Sequence, residues 1–340
     1  MLDTTLLDKI FKKSGLANKK FEPEYVDLRA DNQFDTNVKE VYSEDKNFVN
    51  VEKAQIKPKS ISPENLQKRI IAIDATSTKL GIIEDGLLGV VRISTIIREI
   101  NEKNHRLERY GPKLVDITNQ NKYERYKKLY QIVFGDGSPP SVAPDNSEML
   151  DRIRNLYEKY IQISAIKSNQ DSLILIDGSL IGGTVDTPKK IINEMIMETQ
   201  KNNNTLIAIS KKTGLTLKNS GKSILSLIDN QVSPIFLGPL NSYLEVRNAK
   251  KYLGEIYVAK LSTHGESFRI DIPPNLDEDV NRIFNQLAST CGYYGYPEEL
   301  KFAHTTCIHS HVEMLALQAF AIQKYKMGIE KNIRNLIFPL

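Results

Sequence analysis

An α/β domain built on a mixed central β-sheet flanked by helices is what this 340-residue sequence predicts, on three observations. Strand-type runs come first, over residues 69–100. Strands then alternate with helices between residues 147 and 210, and an antiparallel pair followed by two helices closes the chain. Runs such as SLILID (172–177) and TLIAIS (205–210) are continuously apolar, as in strands covered on both faces.

Composition narrows the class. With 40% hydrophobic and 26% charged residues, the chain is an ordinary globular protein with material for a sizeable core. A formal net charge of +4 is compatible with phosphate contacts but excludes a histone-like binder. Two cysteines, Cys291 and Cys307, build no disulfide framework and suit a reducing interior. Residues 1–20 lack the apolar core of a signal peptide, and no run approaches the roughly 18 apolar residues of a membrane span. A cytoplasmic protein with no membrane association is expected.

Residues 1–17 have an amphipathic helical pattern, and 21–65 form an irregular, partly extended lead-in interrupted by Pro23, Pro58 and Pro63. Residues 1–68 are therefore an N-terminal helix and extension, and 69–340 the main domain. The segment RIIAIDATSTKLGIIEDGLLGVVRISTIIREI predicts a buried strand ending near Asp74, with Asp85-Gly86 as a hairpin turn. Residues 102–132 mix a strand end with a helix, and GDGSPPSVAPDNS (135–147) is a loop. Leu150, Ile153, Leu156, Tyr160, Ile163 and Ile166 fall at helical spacing, which predicts a helix over 147–168. A further helix spans 188–201, with Thr187 as cap and Pro188 as first residue. Residues 255–262 and 267–272 pair through the turn at 263–266. Helices at about 277–290 and 302–326 precede the hydrophobic tail LIFPL, which either folds back or docks on a partner.

Two apolar strands each close on an aspartate beside small residues, IIAIDATS at Asp74 and LILIDGSL at Asp177. A carboxylate leaving a buried strand has lost hydration and needs a partner. Two on adjacent strands concentrate negative charge that a divalent cation relieves, which is how phosphodiester-cleaving metal sites are assembled. Each motif by itself is equally a turn. Glu158, one helical turn from Arg154, is a candidate third carboxylate, with Glu148 and Glu124 as alternatives; a solvated ion pair is the bland reading. In GYYGYPEELKFAH (292–304), Gly295-Tyr296-Pro297 forces a bend before a helix carrying His304, an imidazole suited to a softer divalent ion.

Two other signals are weaker. TLKNSGKS (216–223) fails as a phosphate-binding loop because Thr216 stands where the first glycine must be. His304, Cys307 and His311 share a helical face, with His309 close by. Zinc sites usually draw paired ligands from two segments, so packing is the simpler reading.

Taken in order, Asp74, Glu158, the Asp177-Gly178-Ser179-Leu180 strand end, a strand leading to Lys211, and Gly295-Tyr296-Pro297 before His304 resemble the NurA family. The resemblance spans about residues 69–310. It implies a ribonuclease-H-like core whose metal ligands are Asp74, Glu158, Asp177 and His304, with Tyr296 completing the catalytic set. It implies a manganese-preferring nuclease, magnesium being the other candidate, that cuts single-stranded DNA and trims DNA ends 5′ to 3′. Such proteins act as homodimers with the HerA hexameric ATPase in double-strand break resection. Lys211 would then hold a phosphate, a solvated turn at Lys211-Lys212 being the alternative. Tyr293, Tyr294 and Tyr296 would stack on splayed bases, with core or rim packing as the bland reading. Two rival readings are a non-catalytic adaptor that binds single strands or the ATPase, and a related enzyme acting on RNA.

Overall fold

The structure is a computed structural model and describes residues 16–26, 47–50, 56–135, 139, 145–245, 251–274 and 279–329. The tail at 336–340, all but the end of the helix expected at 1–17 and most of the 135–147 loop lie outside the described residues. Among the described residues, no helix is long and apolar enough to cross a membrane.

The lead-in contributes three short strands, β1 (Lys20–Pro23), β2 (Asn47–Val49) and β3 (Lys59–Ser60). An antiparallel meander follows: β4 (Arg69–Ile83), β5 (Gly86–Arg98) and β6 (Arg106–Thr118). The strand expected to end near Asp74 instead runs on to Ile83, because β5 pairs with it along its whole length. The hairpin turn is Glu84-Asp85, one residue earlier than Asp85-Gly86, since Ile83 pairs with Gly86. Gly86 is required for a different reason: a Cβ there would lie 1.9 Å from the Ile117 carbonyl oxygen on β6.

Helices α1 (Lys122–Phe134) and α2 (Asn146–Ser168) carry the chain back to β7 (Ser172–Asp177). Helix α3 (Lys189–Lys201) leads to β8 (Thr205–Ser210). Asp145 caps α2 through the Glu148 N–H, whereas Pro188 occupies the cap position of α3 without a side-chain cap. Strands β4, β7 and β8 are parallel neighbours, so the order β6-β5-β4-β7-β8, with only β5 reversed, is that of a ribonuclease-H-like core.

Beyond it lie β9 (Leu215–Leu217), β10 (Ile235–Leu237), β11 (Leu244–Glu245), β12 (Glu255–Lys260) and β13 (Ser267–Ile272). The expected β12–β13 pair extends the sheet from β8, and β10 and β3 complete that edge. Strands β11, β2 and β9 form a separate small sheet. Helices α4 (Val280–Ala288), α5 (Glu298–Cys307) and α6 (His311–Tyr325) precede β14 (Gly328–Ile329). The single helix expected over 302–326 is thus two, because Ser310 and Glu313 form a capping box that starts α6 afresh.

Side chains alternate between the two faces of the sheet. Ile71, Ile73, Ile174, Ile176, Leu206 and Ala208 meet α1, α2 and α3 through residues such as Leu129, Ile153 and Ile192. Ile70, Ala72, Leu173, Leu175, Ile207 and Ile209 meet α4 and α5 through Phe284, Leu287, Leu300 and Ala303. Each fully buried aliphatic side chain contributes about 1.5–3 kcal/mol by transfer from water, so both cores hold the sheet between the two sets of helices.

A buried ion pair ties the end of β7 to this frame. Asp271 accepts from Arg269 Nε at 2.8 Å and Nη2 at 2.9 Å, and from the Leu180 N–H at 2.9 Å. Replacing Asp271 by alanine leaves a buried guanidinium without its main partner, which costs about 3–5 kcal/mol. Urea unfolding of Asp271→Ala is therefore expected to show a loss of that size; a loss under about 1 kcal/mol contradicts this role for the pair.

Candidate active site

The last rung of the β4–β7 ladder pairs Ile73 with Ile176. Asp74 and Asp177 are the next residues on each strand, and parallel strands stand only about 4.8 Å apart. By the alternation above, both carboxyls fall on the face covered by α4 and α5. Strand β7 stops here because Gly178 adopts a φ of 118°, where a side chain is strained. Its N–H donates to the Ile209 carbonyl at 2.9 Å, and its carbonyl accepts from Ser210 Oγ at 2.6 Å. The strand exit is thereby held against β8.

Helix α5 lies over this point. His304 Nδ1 is 2.7 Å from Asp74 Oδ2, and Asp74 Oδ1 accepts from the Ala75 N–H at 2.8 Å. One turn further on, the buried Cys307 sulfur is 3.8 Å from the same Asp74 Oδ2. The zinc-type face His304–Cys307–His311 is not assembled among the described residues. His309 turns away to Thr78 Oγ1 at 3.2 Å, and Asp74 joins His304 and Cys307 instead.

Glu158 approaches from α2. Its Oε1 accepts from Gln162 Nε2 at 2.9 Å, and its Oε2 lies 3.4 Å from the Arg154 guanidinium. Burial raises the Glu158 carboxyl to about 7, with Arg154 opposing and Asp74 and Asp177 adding to the rise. Of the three glutamates considered, it is the one whose charge is coupled to those of Asp74 and Asp177. Glu148 is engaged by Arg152 at 2.7 Å, and Glu124 sits in the first turn of α1.

Asp177 is also raised, by burial first and Asp74 next, against the pull of Lys211. Lys211, just past β8, places Nζ 2.9 Å from Asp177 Oδ2 and 4.7 Å from the centre of the Tyr296 ring. Tyr296 follows Gly295, whose φ of 74° makes the bend that GYP announces. Burial and the two aspartates push its phenol well above the ordinary value, so it stays a neutral donor. Tyr293 and Tyr294 stand exposed and edge to face at 5.3 Å on the same loop. That loop is tied to the β12–β13 turn by Ser262 Oγ, which donates to the Tyr293 carbonyl at 2.9 Å.

Lys211, Tyr296 and His304 line a cleft of about 660 Å³ together with Ser226, Asp229 and Lys301. The 216–223 stretch forms a tight turn in which Thr216 bridges Ser223, followed by a single 3-10 turn, so no phosphate-cradling helix begins there. Sequence reasoning missed the contact of Cys307 with Asp74, which joins residues 233 apart. It also missed Gln162, although the 154-158-162 spacing on one helical face was readable.

The NurA domain family matches residues 17–307. The chain belongs to the NurA family. Among solved structures, the NurA nuclease of Sulfolobus solfataricus is similar at 14% identity and a TM-score of 0.47, over 79% of this chain and 88% of that one. A NurA bound to dAMP and manganese matches at 10% identity and a TM-score of 0.40, over 76% and 87%. An endonuclease V from Streptomyces avermitilis matches at 10% and 0.36, over 75% and 86%. No curated protein matches. The family match carries the assignment, and it places the chain in a family of nucleases.

The raised carboxyls have a consequence for stability. Between an ordinary glutamate's 4.5 and about 7, folded metal-free protein holds more protons at Glu158 than the unfolded chain does. Its contribution is therefore present at low pH and lost as pH rises through about 7. His309, pushed down to about 4 by burial, has the opposite sign below 6.5, so the comparison must leave it unchanged. With chelator present, the Tm of Glu158→Gln is expected to gain on wild type as pH rises from 5 to 8. A Tm difference that stays level across that range contradicts the raised carboxyl.

Proposed function

We propose that this NurA-family chain is a divalent-metal-dependent deoxyribonuclease that cuts single-stranded DNA and trims ends 5′ to 3′. We further propose that it works as a homodimer with the HerA ATPase in double-strand break resection. The chemistry rests on one observation, two aspartates side by side just past the last rung of the β4–β7 ladder, with His304 on Asp74 and Glu158 electrostatically coupled to both. Polarity, partner and pathway rest on the family.

The donor set suits a divalent ion. Glu158 and Asp177 are held up by burial and mutual repulsion despite Arg154 and Lys211, and an added positive charge relieves both. Asp74, Asp177, Glu158 and His304 would hold it, the mixed oxygen and nitrogen donors suiting manganese and the carboxylates magnesium. When bound, such an ion supplies an activated water and stabilises charge on the phosphorane-like transition state.

The chain's own groups do the rest. Lys211, half-exposed at the cleft wall, offers Nζ to a phosphate oxygen as a point charge. Tyr296 keeps its proton and donates it in a hydrogen bond, which a phenolate beside phosphate would not do. His304, oriented by Asp74, stands at the solvent side of the pair. Tyr293 and Tyr294 present exposed rings on which unpaired bases stack, a contact that tolerates any sequence and excludes a paired base.

End-labelled single-stranded DNA is expected to be cut in manganese or magnesium and left intact in chelator, with Asp177→Asn slower by at least roughly 100-fold while DNA binding persists. Binding without cutting under any metal, with or without the ATPase, turns the reading to the adaptor. Lys211→Glu is expected to weaken DNA binding and reduce its logarithmic salt slope by about one. Unchanged binding removes Lys211 from the phosphate path.

A further inference from the structure

The group around Asp74 has two chemically different halves. Towards β7 and α2 stand oxygen donors, Asp177 and Glu158, each already beside a cation or amide. Towards α5 stand a nitrogen and a sulfur, His304 Nδ1 and Cys307 Sγ, at 2.7 and 3.8 Å from Asp74 Oδ2. The three α5-side donor atoms all lie within 4.8 Å of one another. Around a tetrahedral ion with bonds of about 2.0–2.3 Å, neighbouring donors stand about 3.5 Å apart, so little rearrangement is needed. Asp74 Oδ1 accepts from the Ala75 N–H, while Oδ2 faces His304 and Cys307, so Asp74 and His304 are the groups both halves share.

We propose that thiophilic divalent ions, zinc above all, are captured on the α5 side by Asp74, His304 and Cys307, a set that shares Asp74 and His304 with the carboxylate site and adds the Cys307 sulfur to it. Binding breaks the Cys307 S–H bond and forms a metal–sulfur bond. The neutral His304 ring passes its proton from Nδ1 to Nε2 to free Nδ1 as a ligand, so one proton, that of Cys307, is released to solvent with no change of oxidation state. Oxygen-preferring ions gain little from sulfur and stay with the carboxylates. Because both ions need Asp74 and His304, a thiophilic ion takes those ligands from the carboxylate site and inhibits. This last consequence rests on the nuclease reading; the site itself does not.

Cobalt(II) titrated into the metal-free full-length chain tests the site without reference to cleavage. A sulfur-to-cobalt charge-transfer band in the near ultraviolet is expected, with one proton released per ion. Zinc displaces the band, Cys307→Ser abolishes it and Cys291→Ser retains it. Should Cys307→Ser fail to fold, His304→Ala reports from the more exposed side, with affinity at least about tenfold weaker. Cobalt bound without the band in wild type overturns the proposal, as does a band that survives in Cys307→Ser. A protein that gives the band yet cuts no DNA with manganese keeps this site and loses the nuclease reading. One that cuts with manganese but gives no band does the reverse.

Discussion

The parallel register of β4 with β7 is the constraint on which the rest depends. Ile73 opposite Ile176 sets Asp74 beside Asp177 on one face, over which α5 brings His304 and Cys307. Strand side chains alternate, so a slip of one residue would send one aspartate into the aliphatic core under α1 to α3. The two cores prevent that slip. Ile71 and Ile73 belong to one, Ile70 and Ala72 to the other, and neither set can exchange without exposing buried surface.

Concentrating carboxylates in this way works against the fold, and the surrounding structure offsets it. Gln162 and Arg154 hold Glu158, Lys211 holds Asp177, and His304 with the Ala75 N–H holds Asp74. None of these neutralises the group: burial still raises Glu158 and Asp177. Desolvated acids of this kind gather where chemistry is done, because the same low dielectric that penalises them strengthens their hold on a cation. Rigidity comes from further out. The Arg269–Asp271 pair grips the Leu180 N–H, so the chain leaving the Gly178 bend is held from β13 while the bend itself is held by β8.

Helix α5 owes its position to its two ends. Gly295 and Pro297 turn the chain into it, and after Cys307 the Ser310–Glu313 capping box starts α6 in a new direction. Had the two helices been one, as the apolar spacing over 302–326 allowed, no such change of direction would follow Cys307. Arg92 on β5 holds the junction by donating to the Ile308 carbonyl and the Glu313 carboxylate. The break in helical pattern is thus part of how the site is built.

Much was legible beforehand because it is local. Apolar runs marked β7 and β8, spacing marked α2, and Asp-Gly-Ser and Gly-Tyr-Pro marked the two bends that aim Asp177 and Tyr296. Other features were misplaced by the same local logic. Asp74 looked like a strand end because polar residues follow it, yet β5 pairs with β4 through to Ile83 and keeps it extended. The sequence by itself determined most of the elements and the family, since backbone preference and hydrophobic period act over a few residues. Only the tertiary structure decided which glutamate interacts with the aspartates and that Cys307 lies against Asp74. Those contacts span tens to hundreds of residues and are set by strand register and helix crossing, which no short-range pattern encodes.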